Sequence, residues 1–364
     1  LSSQKFYMEL AYRMAIRAVG ITATNPAVGC IIVKNNNIIS RGWTQPGGSP
    51  HAEVHALSRV KDRSILKGAE MYCTLEPCSH YGKTNPCVNS IINSQIKKVY
   101  IGCIDKNPKV NGRGVQRLEA AKIRVKLIPS KSISHLNNIF FNTKIRQKPF
   151  VISKIATTYD FNINSNSSKD RWITNQLSRA HGHYLRYKSD AMLVGKNTIL
   201  IDDPDMHCRL EGLNSFSPDI FILDSNLSIP IKKRIFNSKR RKVYIFHKKN
   251  ISKKKLNRFN KSEVTLFAIN QKKDLLDINE ILLKMGEIGI QRVLVEGGAK
   301  LMSQLSKENL IDVLYWFSAS KINGKKRKNT VTGLRVSKVK YIKGLKLENT
   351  MQIKSDNLEV YAKK

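Results

Sequence analysis

Four residues in the first quarter of the chain are of the types that hydrolytic metal chemistry requires. His51 and Glu53 stand two positions apart, and Cys78 and Cys87 each directly follow a proline. A catalytic zinc ion takes three protein ligands and leaves one position open for water, and one histidine with two cysteines supplies such a set. Zinc lowers the pKa of its bound water toward neutrality. Glu53 is then expected to shuttle protons between that water and a leaving amine without binding the metal.

This combination predicts zinc-dependent deamination of a nucleobase-like ring. His55 lies one helical turn after His51, and a structural role is expected for it, because a fourth protein ligand would close the position needed for water. A purely structural zinc site is the alternative. It is disfavoured because the pattern contains only three protein ligands.

The spacing of the two cysteines adds a family resemblance. The His-Ala-Glu motif at 51–53, followed by a Pro-Cys pair, is similar to the cytidine deaminase superfamily, whose remaining ligands usually stand as P-C-x-x-C. Here eight residues separate Cys78 from Cys87. This longer form resembles the deaminase half of the bifunctional riboflavin-biosynthesis deaminase/reductase family. The resemblance covers most of residues 4–147 and implies a cytidine-deaminase-like three-layer domain with one zinc ion.

The second half contains no G-x-G-x-x-G fingerprint after a strand, so a Rossmann dinucleotide site is not indicated. Instead, an apolar strand candidate at 293–295 is followed by Glu296, Gly297 and Gly298 and then by a helix candidate. Glycines at such a turn let backbone N–H groups approach a phosphate at a helix N-terminus. A strand-to-helix turn also needs glycine for purely conformational reasons, so the motif alone leaves both interpretations open.

Several segments before this turn are similar to the reductase half of the same family, whose fold resembles dihydrofolate reductase and which uses NADPH. They lie at 153–156, 171–174, 185–186, 191–195 and 198–204, and the resemblance covers about 148–345. It implies that the nicotinamide cofactor is held by Ala156, Trp172, Thr198, Asp202, Ser225, Gly297 and Gly298. It also implies that the substrate is faced by Asp170, Arg186, Met206, Arg209 and Glu296. The arginines suit a ribose phosphate because their donors form a planar fork.

Two positions depart from the reductase pattern. Phe161 stands where the family has a glycine that permits positive φ. Asp170 replaces a serine that is expected to contact the substrate, and a carboxylate there would repel a substrate phosphate. These departures leave open an alternative in which only the first half is catalytic and the second half is a cofactor-free scaffold.

Alternating helix and strand patterns predict an α/β fold in both halves. In the first half they predict helices at 4–19 and after Pro50, a hairpin at 28–39, and strands at 72–75, 99–104 and 123–128. In the second half they predict strands at 150–156, 191–194, 220–223, 243–246, 264–267, 293–295 and 313–317, with helices near 175–188, 276–286 and 299–309. The basic stretch 137–149 predicts a boundary between a deaminase domain at 1–147 and a reductase domain at 148–364. Residues beyond about 345 carry no interpretable pattern.

The chain has 364 residues and a formal net charge of +37, which raises an RNA-binding or RNA-editing alternative. The lysine runs lie between apolar segments with little aromatic interleaving. Lysine, asparagine and isoleucine, which have AT-rich codons, are all abundant, so genome composition is the favoured explanation of the charge, and a phosphate-bearing small substrate or RNA is the alternative. The long cysteine spacing also disfavours RNA editing, because the editing enzymes of this superfamily resemble the shorter form.

The family resemblance implies a bifunctional enzyme. It would deaminate 2,5-diamino-6-ribosylamino-4(3H)-pyrimidinone 5′-phosphate and then reduce the ribosyl group to ribityl with NADPH. The expected partner is therefore a small phosphorylated pyrimidine, with neither nucleic acid nor membrane; a homo-oligomer is left open. No apolar run approaches the roughly 20 residues of a membrane helix. The six unevenly spaced cysteines and the absence of a secretory-signal pattern indicate a reducing, cytoplasmic location.

Overall fold

The structure is a computed structural model, and it divides the chain into two compact units, Leu1–Gln147 and Lys148–Lys364. It describes residues 3–82, 84–106, 110–161, 172–237, 241–259, 263–322, 342 and 344–363. No helix within these ranges is long and apolar enough to cross a membrane.

The first unit is built on a five-stranded sheet. Its strands are β1 (Gly29–Lys34), β2 (Asn37–Trp43), β3 (Glu70–Cys73), β4 (Lys98–Ile101) and β5 (Arg124–Leu127). Its helices are α1 (Ser3–Ala18), α2 (Ala52–Ser58), α3 (Cys87–Asn93), α4 (Arg113–Ala120) and α5 (Lys131–Arg146). The strand order is β2-β1-β3-β4-β5. β1 is antiparallel to β2 and β3, whereas β3, β4 and β5 run parallel.

Side chains alternate between the two faces of this sheet, as strand geometry requires. Cys30 and Ile32 pack in one apolar cluster with residues of α2, α3 and α4. Ile31 and Tyr72 pack on the opposite face with residues of α1 and α5. The predicted three-layer arrangement is therefore confirmed. Because α2 and α3 lie on the same face, their first turns can approach each other.

Gly42 brings β2 and α2 into close contact. A Cβ atom on Gly42 would lie 2.2 Å from the backbone oxygen of Ala52 and 2.5 Å from the backbone nitrogen of Ala56. The Ser40 hydroxyl donates a hydrogen bond of 2.6 Å to the Ala56 carbonyl. These contacts hold the first turn of α2 against the sheet, and that turn follows His51 directly.

The second unit is built on a nine-stranded sheet with the order β10-β9-β8-β7-β13-β6-β14-β16-β15. Its strands are β6 (Phe150–Thr157), β7 (Ala191–Gly195), β8 (Asp219–Leu223), β9 (Val243–Lys248), β10 (Val264–Ile269), β13 (Arg292–Val295), β14 (Val313–Ala319), β15 (Leu345–Ile353) and β16 (Asp356–Lys363). A separate antiparallel pair consists of β11 (Gln271–Lys272) and β12 (Leu275–Leu276). The helices are α6 (Gln176–Tyr187), α7 (Lys196–Asp202), α8 (Lys253–Asn257), α9 (Ile278–Glu287) and α10 (Ala299–Lys307).

The strands from β10 to β14 in this order all run parallel, and only β16 and β15 are antiparallel additions. Parallel strands present their carboxyl ends at one edge of a sheet, which is where open α/β sheets bind ligands. The apolar segments that predicted strands in this half all form strands.

Several regions differ from the pattern-based expectation, among them the short helices α3, α4, α7 and α8, which no predicted helix covers. The basic stretch 137–149 is largely helical, because Ser130 caps α5 by accepting a hydrogen bond from the Ile133 backbone N–H, and Ile133, Leu136 and Phe141 are buried along one face. The uninterpreted end of the chain forms β15 and β16, a hairpin that extends the sheet beyond β14. β15 is mostly exposed, so apolar residues do not mark it in the sequence.

Candidate functional site

His51, Cys78 and Cys87 converge on the face of the first sheet that carries α2 and α3. His51 directly precedes α2, Cys87 is the first residue of α3, and Cys78 lies in the segment between β3 and α3. The Nδ1 atom of His51 lies 3.3 Å from the Cys87 Sγ and 3.6 Å from the Cys78 Sγ. The Cys87 backbone N–H donates to the Cys78 Sγ at 3.3 Å. The structure thus brings the three expected ligands together.

The donor atoms and their spacing fit a zinc ion. Zinc–sulfur bonds of about 2.3 Å and zinc–nitrogen bonds of about 2.0 Å place neighbouring ligand atoms of a tetrahedral site roughly 3.5–3.8 Å apart. The three ligand atoms here all lie within 4.8 Å of one another. Within the described ranges the group has three His, Cys or acidic members, so a fourth coordination position is left for water.

Glu53 is buried beside this group without belonging to it. It lies in the first turn of α2, is 4% exposed, and its carboxyl group interacts with the side chains of His51 and Cys87. Burial raises the pKa of Glu53 to about 7, although the neighbouring His51 acts in the opposite direction. A carboxyl group with a pKa near neutrality both accepts and releases protons readily, as proton transfer requires.

The two cysteines of the group hold their protons unequally. A hydrogen bond with Cys87 lowers the pKa of Cys78, and His51 adds to the effect. The same hydrogen bond, together with burial, raises the pKa of Cys87 well above its ordinary value. Zinc binds thiolates, so occupation of this site releases a proton from Cys87.

His55 lies outside the metal group. Its Nδ1 atom is 2.9 Å from the Gln45 Nε2 and 3.2 Å from the Trp43 carbonyl oxygen, and its ring packs edge-on against the Trp43 ring. These contacts hold the segment that follows β2. His55 is thus not a member of the metal group, in agreement with the expectation that it is not a fourth ligand.

Glu76 shows how the segment that carries Cys78 is anchored. Its carboxylate accepts hydrogen bonds from the backbone N–H groups of Gly112 at 3.0 Å and Gly114 at 2.9 Å, and from two further backbone N–H groups. A Cβ atom on Gly114 would lie 2.3 Å from the Pro77 carbonyl oxygen. The Glu76 carboxylate thus accepts hydrogen bonds from the backbone N–H groups of this glycine-rich segment and ties the segment to the residues just before Cys78.

The residues expected to hold the cofactor in the second unit follow the carboxyl ends of neighbouring parallel strands. Ala156 lies at the end of β6, Thr198 and Asp202 lie in α7 after β7, Ser225 follows β8, and Gly297 and Gly298 lie between β13 and α10. A Cβ atom on Gly297 would lie 3.9 Å from the Gly195 backbone nitrogen, so the turns after β13 and β7 adjoin.

Trp172 and Asp170 are predicted site residues that do not belong to this group at the strand ends. The Trp172 ring is 47% exposed, and the Arg179 guanidinium lies 4.9 Å from its centroid, so the ring packs against α6. Asp170 lies outside the described residues.

Arg186, Met206 and Glu296, three of the expected substrate residues, form one contact cluster. Arg186 donates from Nε and Nη2 to the two carboxylate oxygens of Glu296, each at 2.8 Å. Its Nη1 donates to the His207 carbonyl oxygen at 2.9 Å, and the Met206 sulfur lies 3.9 Å from Nη2. Bidentate pairs of this kind are among the stronger hydrogen bonds in proteins. Arg209, the remaining described member, is exposed and contacts His183.

Lys154 is a further charged residue of this cluster that the sequence pattern did not single out. It lies in β6, next to β13, and its ammonium group interacts with the Glu296 carboxylate. Burial lowers the pKa of Lys154, and Glu296 opposes that effect. Burial alone would raise the pKa of Glu296, but Arg186 and Lys154 lower it to about 2. The sequence signal that could have identified Lys154 was a single charged residue inside an otherwise apolar strand, since buried lysines need a partner.

Phe161 occupies the left-handed conformation that its glycine counterpart would allow. Its φ is 64°, so the positive φ expected at this position is confirmed. Its ring is 37% exposed and lies 5.7 Å from the Trp316 ring, centroid to centroid. The chain thus retains the turn without glycine, at a conformational cost of about 1–2 kcal/mol.

Comparison with known proteins places both units in one family. Residues 1–103 match the model for the cytidine and deoxycytidylate deaminase zinc-binding region, and residues 149–358 match the RibD C-terminal domain. The chain is 35% identical over 322 residues to the riboflavin biosynthesis protein RibD of Aquifex aeolicus, across 88% of each chain. It belongs to the RibD family.

Other RibD proteins match at similar levels. The RibD of Actinobacillus pleuropneumoniae is 32% identical over 98% of this chain and 94% of its own length. A crystal structure from Thermotoga maritima, of a diaminohydroxyphosphoribosylaminopyrimidine deaminase/5-amino-6-(5-phosphoribosylamino)uracil reductase, superposes with a TM-score of 0.84 at 31% identity. It covers 100% of this chain and 99% of that one.

RibD proteins are bifunctional deaminase/reductases of riboflavin biosynthesis, and their reductase domain uses NADPH. The matches cover both units of this chain. They support the bifunctional hypothesis over a deaminase with a cofactor-free scaffold and over an RNA-binding or RNA-editing protein. The zinc expectation is supported by the matched zinc-binding region and by the group of His51, Cys78 and Cys87.

Proposed function

We propose that residues 1–147 remove the 2-amino group of 2,5-diamino-6-ribosylamino-4(3H)-pyrimidinone 5′-phosphate. Residues 148–364 then reduce the ribosyl group of the product to a ribityl chain with NADPH. The observation that carries the proposal is the group of His51, Cys78 and Cys87 with the carboxyl group of Glu53 buried against it. The two activities named for the related Thermotoga maritima enzyme support this choice of substrate.

In the deaminase step, His51, Cys78 and Cys87 would hold a zinc ion, which would supply an activated water molecule for attack on the ring carbon that bears the amine. Glu53 takes a proton from the water at its carboxylate and passes it to the departing amine. The ring gains an oxygen atom, ammonia leaves, and Glu53 returns to its starting state. Because the metal ligands include thiolates, we also propose a reducing compartment such as the cytoplasm for this reaction.

In the reductase step, bound NADPH would supply a hydride to C1′ of the ribosyl group. The bond between C1′ and the ring oxygen would break, and that oxygen would take a proton from water. The turn at Gly297 and Gly298 accommodates the cofactor at the carboxyl edge of the sheet. The Arg186–Glu296 pair presents a fixed arrangement of charge to the ribose, and Arg209 contacts the 5′-phosphate. This assignment is supported by the convergence of these residues after neighbouring parallel strands.

A coupled assay tests the proposal. Zinc-replete protein is mixed with the diaminopyrimidine ribosyl phosphate and NADPH, and ammonia release and NADPH absorbance are followed in the same sample. Ammonia should appear first, and NADPH should be consumed only afterwards. NADPH consumption that precedes ammonia release would show that reduction comes before deamination. The absence of ammonia release from zinc-replete protein would overturn the deaminase assignment.

A further inference from the structure

His183 lies at the centre of the charge cluster of the second unit, yet the proposed mechanism gives it no role. It is on α6, three residues before Arg186, so both side chains lie on one face of the helix. That face meets the loop at 206–209, where Arg186 and His183 both contact the His207 carbonyl oxygen.

Three hydrogen-bonding contacts surround the His183 ring. Its Nδ1 lies 3.2 Å from the His207 carbonyl oxygen and 3.3 Å from the Arg209 backbone nitrogen, and the tautomer that carries the proton on Nδ1 satisfies the carbonyl oxygen. Its Nε2 lies 3.3 Å from the Arg209 Nε, which can only donate, so Nε2 offers its lone pair. Burial lowers the pKa of His183 to about 4, with Arg186 and Arg209 adding to the effect, so the ring is neutral at physiological pH.

The two arginines near His183 differ in what they offer to a ligand. Arg186 has its charge matched by Glu296, and both side chains are largely buried, at 14% and 13% exposure. Arg209 is exposed and donates to the neutral His183 through Nε. The Nε bond fixes the position of the guanidinium plane and leaves the Nη donors of Arg209 for an anion.

We propose that His183 is a positioning residue that orients Arg209 toward the 5′-phosphate of the reductase substrate. This inference rests on the proposed function, in which Arg209 contacts that phosphate. His183 itself touches neither the substrate nor the cofactor. It acts by holding the loop through Nδ1 and the arginine through Nε2.

The two ring contacts can be separated by a pair of amide variants. In His183→Gln the amide oxygen reaches the position of Nε2 and can accept from the Arg209 Nε. In His183→Asn the amide nitrogen lies near the position of Nδ1 and can donate to the His207 carbonyl, but no acceptor reaches the Arg209 Nε. His181→Ala serves as the control on the same helix, because the His181 ring packs against Tyr315 and Phe317 instead.

The measurement is steady-state reduction by the full chain of the deaminated ribosylaminouracil, with and without its 5′-phosphate. For the phosphorylated substrate, His183→Asn should raise KM about tenfold, as expected from loss of one charge-assisted hydrogen bond, with kcat nearly unchanged. His183→Gln should keep the wild-type KM. The dephosphorylated substrate should show the same KM with every variant, because its recognition does not use Arg209.

Arg209→Ala distinguishes failure of this inference from failure of the proposed function. If Arg209→Ala leaves KM for the phosphorylated substrate unchanged, the assignment of Arg209 to the phosphate is wrong. If Arg209→Ala raises KM but His183→Asn does not, the positioning role of His183 is wrong. Equal losses with both substrates would show that His183 only supports the fold, which also overturns the inference. In the Arg209→Ala background, His183→Asn should add nothing further to KM.

Discussion

The metal group of the first unit and the charge cluster of the second unit are assembled in different ways. His51, Cys78 and Cys87 lie within a short stretch of chain, and two of them stand at the starts of helices on the same face of the sheet. Lys154, Arg186 and Glu296 lie on separate elements, namely β6, α6 and the turn after β13, and Lys154 approaches Glu296 because β6 and β13 are neighbours. The first site depends on which residue types are present to bind a metal. The second depends on the pairing of opposite charges that lie on separate elements.

This difference predicts different responses to substitution. A metal site loses its ion when one ligand is removed, so effects in the first unit should be all or none. The charge cluster contains several partly redundant contacts, so effects in the second unit should be graded.

The largest effect is expected from Cys87→Ala. Loss of one of three ligands should reduce bound zinc from about one ion per chain to near zero and abolish ammonia release. Zinc content by atomic absorption and ammonia release measure the two effects. Cys103→Ala is the matched control, since Cys103 is in the same unit but outside the metal group. Retention of zinc by Cys87→Ala would remove Cys87 from the ligand set.

Glu53→Gln should separate metal binding from proton transfer. The amide preserves the size of the side chain but cannot shuttle a proton, so kcat for deamination should fall by about 10²–10⁴-fold. Zinc content should stay at the wild-type level, and reduction of the separately supplied deaminated substrate should be unchanged. Loss of zinc from this variant would mean that Glu53 is a metal ligand.

Glu296→Gln should lower the stability of the second unit in a pH-dependent way. The pKa of Glu296 is lowered from 4.5 to about 2, so its charged form stabilises the folded chain above about pH 4.5. That contribution, on the order of 3 kcal/mol, should decline as the pH falls from about 4.5 toward 2. The wild type should therefore exceed Glu296→Gln in stability by the most at neutral pH.

Hydrogen exchange of peptides that cover β13 and α6 measures the difference in stability of the second unit within the full chain. Glu287→Gln is the matched control, because Glu287 forms an exposed ion pair with Lys284 that contributes little. A difference between wild type and Glu296→Gln that stays constant down to about pH 3 would contradict the assigned pKa of Glu296.

The smallest effect is expected at Phe161. Because its φ is 64°, Phe161→Gly should be more stable than Phe161→Ala by about 1 kcal/mol, the reverse of the usual order for ordinary backbone conformations. Tyr159 is an exposed neighbour without a positive φ, and there the alanine variant should be the more stable one. Thermal unfolding of the second unit compares the four variants, and equal stability of the two Phe161 variants would argue against the left-handed conformation.

The elements that could be predicted from the sequence were those with a clear apolar pattern. β6 through β9, β13 and β14 were predicted because most of their side chains are buried, as parallel sheets require, and β10 was predicted although it is an edge strand with few buried side chains. α1, α6, α9 and α10 were predicted because apolar residues recur at helical spacing.

The elements that were missed are short or polar. α3, α4, α7 and α8 have five to eight residues, too few turns to show helical spacing. α5 and the hairpin of β15 and β16 carry many exposed polar residues.

The sequence by itself indicated the three candidate zinc ligands, the buried strands and the family, because these depend on residue types at short spacings. The tertiary structure decided the contacts between distant residues. It showed that Glu76 accepts hydrogen bonds from the glycine-rich segment, that Lys154 interacts with Glu296, and that His183 accepts a hydrogen bond from Arg209. Such pairs depend on strand order and on which helix faces meet. Spacing along the chain carries little information about either, because neighbours in a parallel sheet are separated by long crossover connections.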